Sequence, residues 1–325
     1  MALSSTGAVG HGAAQPELLV LRALGLGDLL TVVPALRGLR AAFPGHRLTL
    51  AAPAPLESLA RHAGVADQWV PSDGLRGVPA PTGSPRRPAV AVNLHGRGPQ
   101  SHTWLAAHLP ARMIAFAAPD HQDGPPWDTG EPEHEVARWC RLVAAYGVAV
   151  DLGELAVTRP PVTARWSGAV LVHPGAASAA RRWPAARYAE VARALGADGH
   201  RVVVTAGPGE ERQAGKVAAA ADVELAYGMP VLELVALVAD APLVICGDTG
   251  LGHVATATAT PSVLLFGPSA PGLWGPPSGR ARHRVLWSGA TGDPLGGVVD
   301  PGLARITAAD VLGAARTMLM VTNPA

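Results

Sequence analysis

Short apolar runs alternate with helix-length segments along most of this chain, and the rhythm occurs twice. The first series is "LLVLRAL" (18–24), a segment 29–43, "RLTLAAP" (47–53), a helical stretch 55–63, "QWV" (68–70), and "AVAVNLHG" (89–96) followed by 99–109. The second is "AVLVHPG" (169–175), helix 184–196, "HRVVVTAGP" (200–208), helix 209–221, "VELAYG" (223–228), helix 230–239, "PLVICGD" (242–248), helix 251–258 and "PSVLLFGP" (261–268). Strand-length runs spaced by helices predict βαβ units around a parallel sheet, and therefore an α/β protein. A chain of 325 residues suits two such units better than one. The expected division is a disordered N-terminus over 1–16, one doubly wound domain over 17–160 and a second over 161–325. The boundary falls in proline-broken chain near 155–168, after a helical stretch "HEVARWCRLVAAYGV" (134–148). The segment "VPAPTGSPRRP" (78–88) reads as a surface loop, because proline and glycine interrupt any period.

Composition narrows the function classes. Hydrophobic residues make up 48% and charged residues 16%, which describes a chain that folds. The formal net charge of +1 supplies no global attraction to nucleic acid. Cys140 and Cys246 lie far apart, the second inside an apolar run, so neither a disulfide framework nor a zinc site is expected. A basic start followed by an apolar stretch is missing from residues 1–16, and no run approaches 18 apolar residues. The expectation is a cytoplasmic protein.

Three loops follow successive strands of the second unit. In "GDTGLGHVATATATP" (247–261), Gly250 and Gly252 let backbone amides approach a ligand, and a helix N-terminus favours an anion there. The same turn is equally an ordinary connection with Asp248 or Thr249 as N-cap. In "HPGAASAARRWP" (173–184), small residues leave room for a ligand, and Arg181 either neutralises a diphosphate or is a solvated loop arginine. His173 is equally a strand-end histidine bonded to backbone. In "TAGPGEER" (205–212), Glu210 either accepts ribose hydroxyls or complements a helix dipole. Because α/β sheets bind ligands at the carboxyl ends of their strands, the three loops together favour a nucleotide-diphosphate site in the second domain.

The first unit carries "GLGDLLTVVPALRG" (25–38). It is not a dinucleotide fingerprint, since Leu30 stands where the third glycine would be. Pro34 belongs in a first helical turn, so the helix is expected to begin near Thr31, with Asp28 in the loop before it. Asp28 is then either a cap or a base for a sugar hydroxyl. "NLHGRGPQ" (93–100) offers His95 and Arg97 on another strand-end loop.

The segments "LRALGLGDLLTVVPALRGLRAAFP", "NLHGRGPQS", "HEVARW", "HPGAASAARRWP" and "GDTGLGHVATATATPSVLLFGPS" resemble, in order and spacing over residues 17–287, the lipopolysaccharide heptosyltransferase family, glycosyltransferase family 9. The resemblance implies a GT-B fold of two Rossmann-like domains facing a central cleft, the first holding an acceptor and the second an ADP-sugar. It implies inverting, metal-independent transfer, with no cofactor. Asp28 falls on the catalytic base. Gly175, Ser178, Arg181, Gly207, Glu210, Asp248, Thr249, Gly250 and His253 fall on the donor side, and Gly27, His95 and Arg97 on the acceptor side. The chain departs from the family in reading Arg181 where lysine is common, and Ser269-Ala270-Pro271 where Thr-Asp-Pro is common. The implied partners are a nucleotide-diphosphate sugar and a glycan, lipid-linked or natural-product acceptor, with peripheral membrane contact and no nucleic acid. Two other functions fit the same fold: a nucleotide-sugar epimerase, and a degenerate sugar-nucleotide-binding protein.

Overall fold

The computed structural model describes residues 15–75 and 87–322. The expected disordered N-terminus and the 78–88 loop fall almost wholly outside the described residues. The first sheet consists of β1 (Glu17–Leu21), β2 (Arg47–Ala52), β3 (Gln68–Pro71), β4 (Val90–Asn93) and β5 (Arg112–Ile114). Its order is β3-β2-β1-β4-β5, with every neighbouring pair parallel. Around it lie α1 (Leu26–Thr31), α2 (Val33–Ala42), α3 (Glu57–His62), α4 (Gln100–Ala106) and α5 (Glu135–Ala145).

The second sheet consists of β6 (Val170–His173), β7 (Val202–Thr205), β8 (Glu224–Ala226), β9 (Val244–Gly247), β10 (Ser262–Leu265) and β11 (His283–Leu286). Its order is β11-β10-β9-β6-β7-β8, again all parallel. The helices of this half are α6 (Ala185–Ala197), α7 (Glu211–Ala221), α8 (Val231–Ala239), α9 (Gly250–Ala257), α10 (Pro271–Trp274), α11 (Pro301–Arg305) and α12 (Ala308–Thr322). The central strands are buried along their whole length, as in "VLVH" and "VVVT". That is why they read as continuous apolar runs: helices cover both faces of a parallel sheet.

Counted within each half, both sheets follow one doubly wound order, with the chain reversing direction beside the first strand. The switch points lie between β1 and β4 and between β6 and β9, and ligands bind outside the carboxyl ends of the strands there. The loops after β1, β4, β6 and β9 are therefore the ones the topology gathers into a cleft. One apolar cluster runs from Leu18, Leu36 and Leu50 through Val157 and Trp166 to Val235 and Val254, joining the halves. Val157 N–H donates to the Ala257 carbonyl at 2.9 Å across the same seam.

The helix expected from Thr31 starts earlier. Gly25 caps α1 at Leu26, the backbone breaks at Val32, and α2 begins anew at Val33. Pro34 does lie in a first turn, but in that of the second helix. Asp28 is thus inside the first turn of α1 and not in a loop before it.

Candidate active site at the domain cleft

Asp28 reaches back from α1 and caps its own helix, Oδ2 accepting from Gly25 N–H at 3.2 Å. Its Oδ1 accepts from Arg22 Nη2 at 3.1 Å, and 29% of its side chain remains exposed. Across the cleft stands the N-terminus of α9, with Thr249 as N-cap and no side-chain capping bond. The two helix ends meet closely: a Cβ built on Gly27 would lie 2.6 Å from His253 Cδ2 and 3.4 Å from Gly250 Cα. Each N-terminus presents unpaired N–H groups and a partial positive charge, so an anion between them is favoured from both sides.

Between these ends opens a cavity of about 690 Å³, within the range of ligand sites. Gly27, Asp28, Arg181, Gly207, Glu210, Asp248, Thr249, Gly250 and His253 all line it. These nine, together with His173, converge from four loops. Arg181 Nη1 stands 3.5 Å from both the carbonyl and Oδ2 of Asp248, while its buried Nε has no acceptor among the described residues. Asp248 is buried. Glu210 takes the helix-start position that one of the two readings gave it. It sits at the N-cap of α7 and accepts from Gly207 N–H at 2.9 Å, and its Oε2 lies 3.4 Å from His173 Nε2. Burial pushes His173 and His253 below the usual histidine range, against the opposing pull of Glu210 on the first and of Asp248 and Asp28 on the second.

The remaining candidates lie just outside the cavity. Gly175 is buried behind Glu210, where a Cβ would meet Oε2 at 2.0 Å. Ser178 donates to the Pro294 carbonyl at 2.6 Å and ties its loop to the 290s segment. Asn93 accepts from His95 N–H and Gly96 N–H and so shapes the loop after β4. His95 Nδ1 is buried there without a partner among the described residues, and burial and the Arg22 charge lower its pKa to about 4. Neither His95 nor Arg97, which is exposed, is among the residues lining the cavity.

Sequence reasoning passed over Arg22, Glu135, His134 and Trp274. Trp274 reaches the cavity from α10 and packs edge-on to His253, with ring centroids 6.2 Å apart. The altered Ser269-Ala270-Pro271 stretch places Ala270 as the N-cap of α10, and Pro271 begins the helix. His134 caps α5, its Nδ1 accepting from Val136 N–H, and its Nε2 donates to the Gly275 carbonyl at 2.9 Å across the cleft. Among the described residues no cluster of three potential metal ligands occurs, and no helix is long and apolar enough to cross a membrane.

Two doubly wound parallel-sheet domains opposed across a cleft, with helix N-termini from each half meeting over the cavity, define the GT-B class of fold. A family model for glycosyltransferase family 9 (heptosyltransferase) matches residues 131–291. Lipopolysaccharide heptosyltransferase 2 of Escherichia coli (strain K12) is 35% identical over 117 residues, 34% of this chain and 34% of that protein. Lipopolysaccharide heptosyltransferase 1 of Pseudomonas aeruginosa is 33% identical over 153 residues, 44% of this chain and 42% of that protein. The chain therefore aligns with a third to under half of the length of these curated relatives. Over nearly its full length it shares the fold of E. coli ADP-heptose LPS heptosyltransferase II, with a TM-score of 0.73 at 20% identity, covering 94% of this chain and 99% of that one. A family 9 glycosyltransferase from Veillonella parvula gives a TM-score of 0.71 at 20% identity, covering 94% and 98%. The similarity to glycosyltransferase family 9 thus spans residues 131–291, just under half of the chain.

Proposed function

We propose that this protein transfers a sugar, heptose in the first instance, from an ADP-sugar to an acceptor hydroxyl with inversion and without a metal. The observation that supports it most is the placement of Asp28 and Arg181 on opposite walls of one cavity, with the α9 amides beside the arginine. In this reading residues 17–160 bind the acceptor and 161–325 the donor. Asp28 accepts the proton of the acceptor hydroxyl as its oxygen attacks the anomeric carbon. The bond from that carbon to the diphosphate oxygen breaks with its electron pair, and ADP leaves from the opposite face. Arg181 and the N–H groups at Thr249 and Gly250 meet the developing charge, which is electrostatic stabilisation by preorganised donors. General-base assistance of this kind contributes about 10²- to 10⁴-fold. Glu210 and Gly207 would border the nucleoside, and His95 with Arg97 the acceptor. The acceptor is a glycan, glycolipid or natural product, and the setting is the cytoplasm, with peripheral contact at the membrane.

Calorimetric titration with ADP, UDP, GDP and ADP-heptose, beside Arg181→Ala, tests the reading. Tightest binding to the adenine ligands, weakened about tenfold or more by loss of the charge-assisted contact, is expected. Preference for UDP or GDP would replace the donor. Conversion of the donor sugar to an epimer without acceptor would overturn transfer itself.

A further inference from the structure

Arg22 immediately follows β1 at the switch point of the first sheet and is 1% exposed, yet its guanidinium is fully engaged. Nε donates to the Asp28 carbonyl at 3.0 Å and Nη1 to the Leu94 carbonyl at 2.7 Å. Nη2 reaches Asp28 Oδ1 at 3.1 Å, Thr31 Oγ1 at 3.2 Å and Glu135 Oε1 at 3.3 Å. The guanidinium lies 4.8 Å from the centre of the Trp139 ring. Glu135 is itself buried and doubly held, Oε1 accepting from Trp139 Nε1 at 2.7 Å and Oε2 from Arg138 Nη1 at 2.9 Å. One cation thus ties together the helix that bears Asp28, the loop that leads to His95, and α5.

Stability alone does not call for this arrangement. A buried ion pair can often be replaced by packed apolar residues at no loss, because desolvating two charges offsets most of their attraction. What the cluster does supply is a fixed Asp28 rotamer. Oδ1 is turned toward Arg22 and Oδ2 toward Gly25 N–H, and a carboxylate oxygen has a second lone pair to offer the cavity. Glu135 also shares the guanidinium charge, so Asp28 is not its sole counter-ion.

We propose that Arg22, clamped by Glu135 and Trp139, is the positioning residue that holds the Asp28 carboxylate in its proton-accepting orientation. The proposal rests on the reading of Asp28 as base. The other ionisable groups around this cluster are His95 from the loop after β4, His253 and Asp248 from the α9 side, and Arg138 and His134 at α5. They are unchanged in the variants below.

The test follows ADP release from ADP-heptose with heptose-deficient lipopolysaccharide, or water, as acceptor, in wild type, Asp28→Asn, Arg22→Met, Arg22→Lys, Glu135→Gln and Trp139→Phe. Arg22→Met should lower kcat about 10²-fold, the scale of a 1 Å misplacement, with donor Kd changed less than twofold and partial recovery in Arg22→Lys. The acid limb of kcat/KM should move to higher pH in Arg22→Met and to lower pH in Glu135→Gln. Opposite shifts follow from charge and not from loss of structure. Should Arg22→Met fail to fold, Glu135→Gln and Trp139→Phe carry the test: an acid limb lowered in the first and kcat reduced severalfold in the second support the proposal. Unmoved limbs and wild-type kcat in these variants, beside an inactive Asp28→Asn, would overturn the positioning role alone. An active Asp28→Asn, or no ADP release by the wild type, would overturn the underlying reading instead.

Discussion

Gly27→Ala adds one methyl where the two domains touch. The new Cβ would stand 2.6 Å from His253 Cδ2, 3.2 Å from its Nε2 and 3.4 Å from Gly250 Cα. Carbon atoms in good contact are about 3.5–4.0 Å apart, so about 1 Å must be found. The His253 ring is half-buried against Trp274 and lines the cavity, so turning it aside would itself change the site. The other relief is for α1 to withdraw from α9, and Asp28 is the next residue on α1. Overpacking costs about 1–3 kcal/mol, and a helical alanine recovers about 0.5–1 kcal/mol over glycine, leaving a net loss of about 0–2.5 kcal/mol. The rate should fall further than the stability, by about 10²-fold for a 1 Å displacement of a catalytic group. Turnover of ADP-heptose, ADP calorimetry and thermal melts measure the three quantities. Gly196→Ala in α6 is the control, because a Cβ there meets nothing within 4 Å. It should gain up to about 1 kcal/mol with activity unchanged. If Gly27→Ala behaves like Gly196→Ala, the close approach of the helix ends is not what sets the cleft.

Gly175→Ala should weaken ADP binding about tenfold, since a methyl 2.0 Å from Glu210 Oε2 drives that carboxylate off Gly207 N–H, a charge-assisted bond of the stronger kind; calorimetry would show it, with Gly215→Ala unaffected. His283, half-buried beside Arg280 and Arg282 and bonded to Ser262 Oγ, has its pKa lowered from 6.5 to about 4 by that burial and by the two arginines. The unfolded chain then binds the extra proton first, so stability falls as pH drops from 6.5 to about 4. Melts across that window should decline less steeply in His283→Gln than in the parent.

The strands of the second half were legible because a fully buried parallel strand is apolar throughout, as Val202 to Val204 show. β5 and β11 escaped notice for the converse reason: a three-residue edge strand leaves no period, and "HRVL" carries exposed charge on the sheet's margin. α1 lies upstream of the start expected near Thr31 because Pro34 opens the second of two helices there. The signal that could have found it is the spacing of Gly25 and Asp28, an acid three residues after a cap. The donor loops were readable since glycine and helix-start chemistry are local. Arg22 was not, because its partner Glu135 is 113 positions away and only the fold brings a strand-end arginine under α5. His134 and Trp274 are hidden in the same way, their roles arising from contact between halves. Ser178 shows the opposite case, a loop residue in the right segment whose hydroxyl is spent on Pro294.

Asp28 is the residue on which the proposed transfer depends. Its most direct test is the rate of sugar transfer from ADP-heptose by Asp28→Asn, measured at saturating donor beside donor affinity for the same protein. Loss of about 10²- to 10⁴-fold in kcat, with ADP-heptose bound as tightly as by the wild type, is the predicted result. Transfer at the wild-type rate would contradict it.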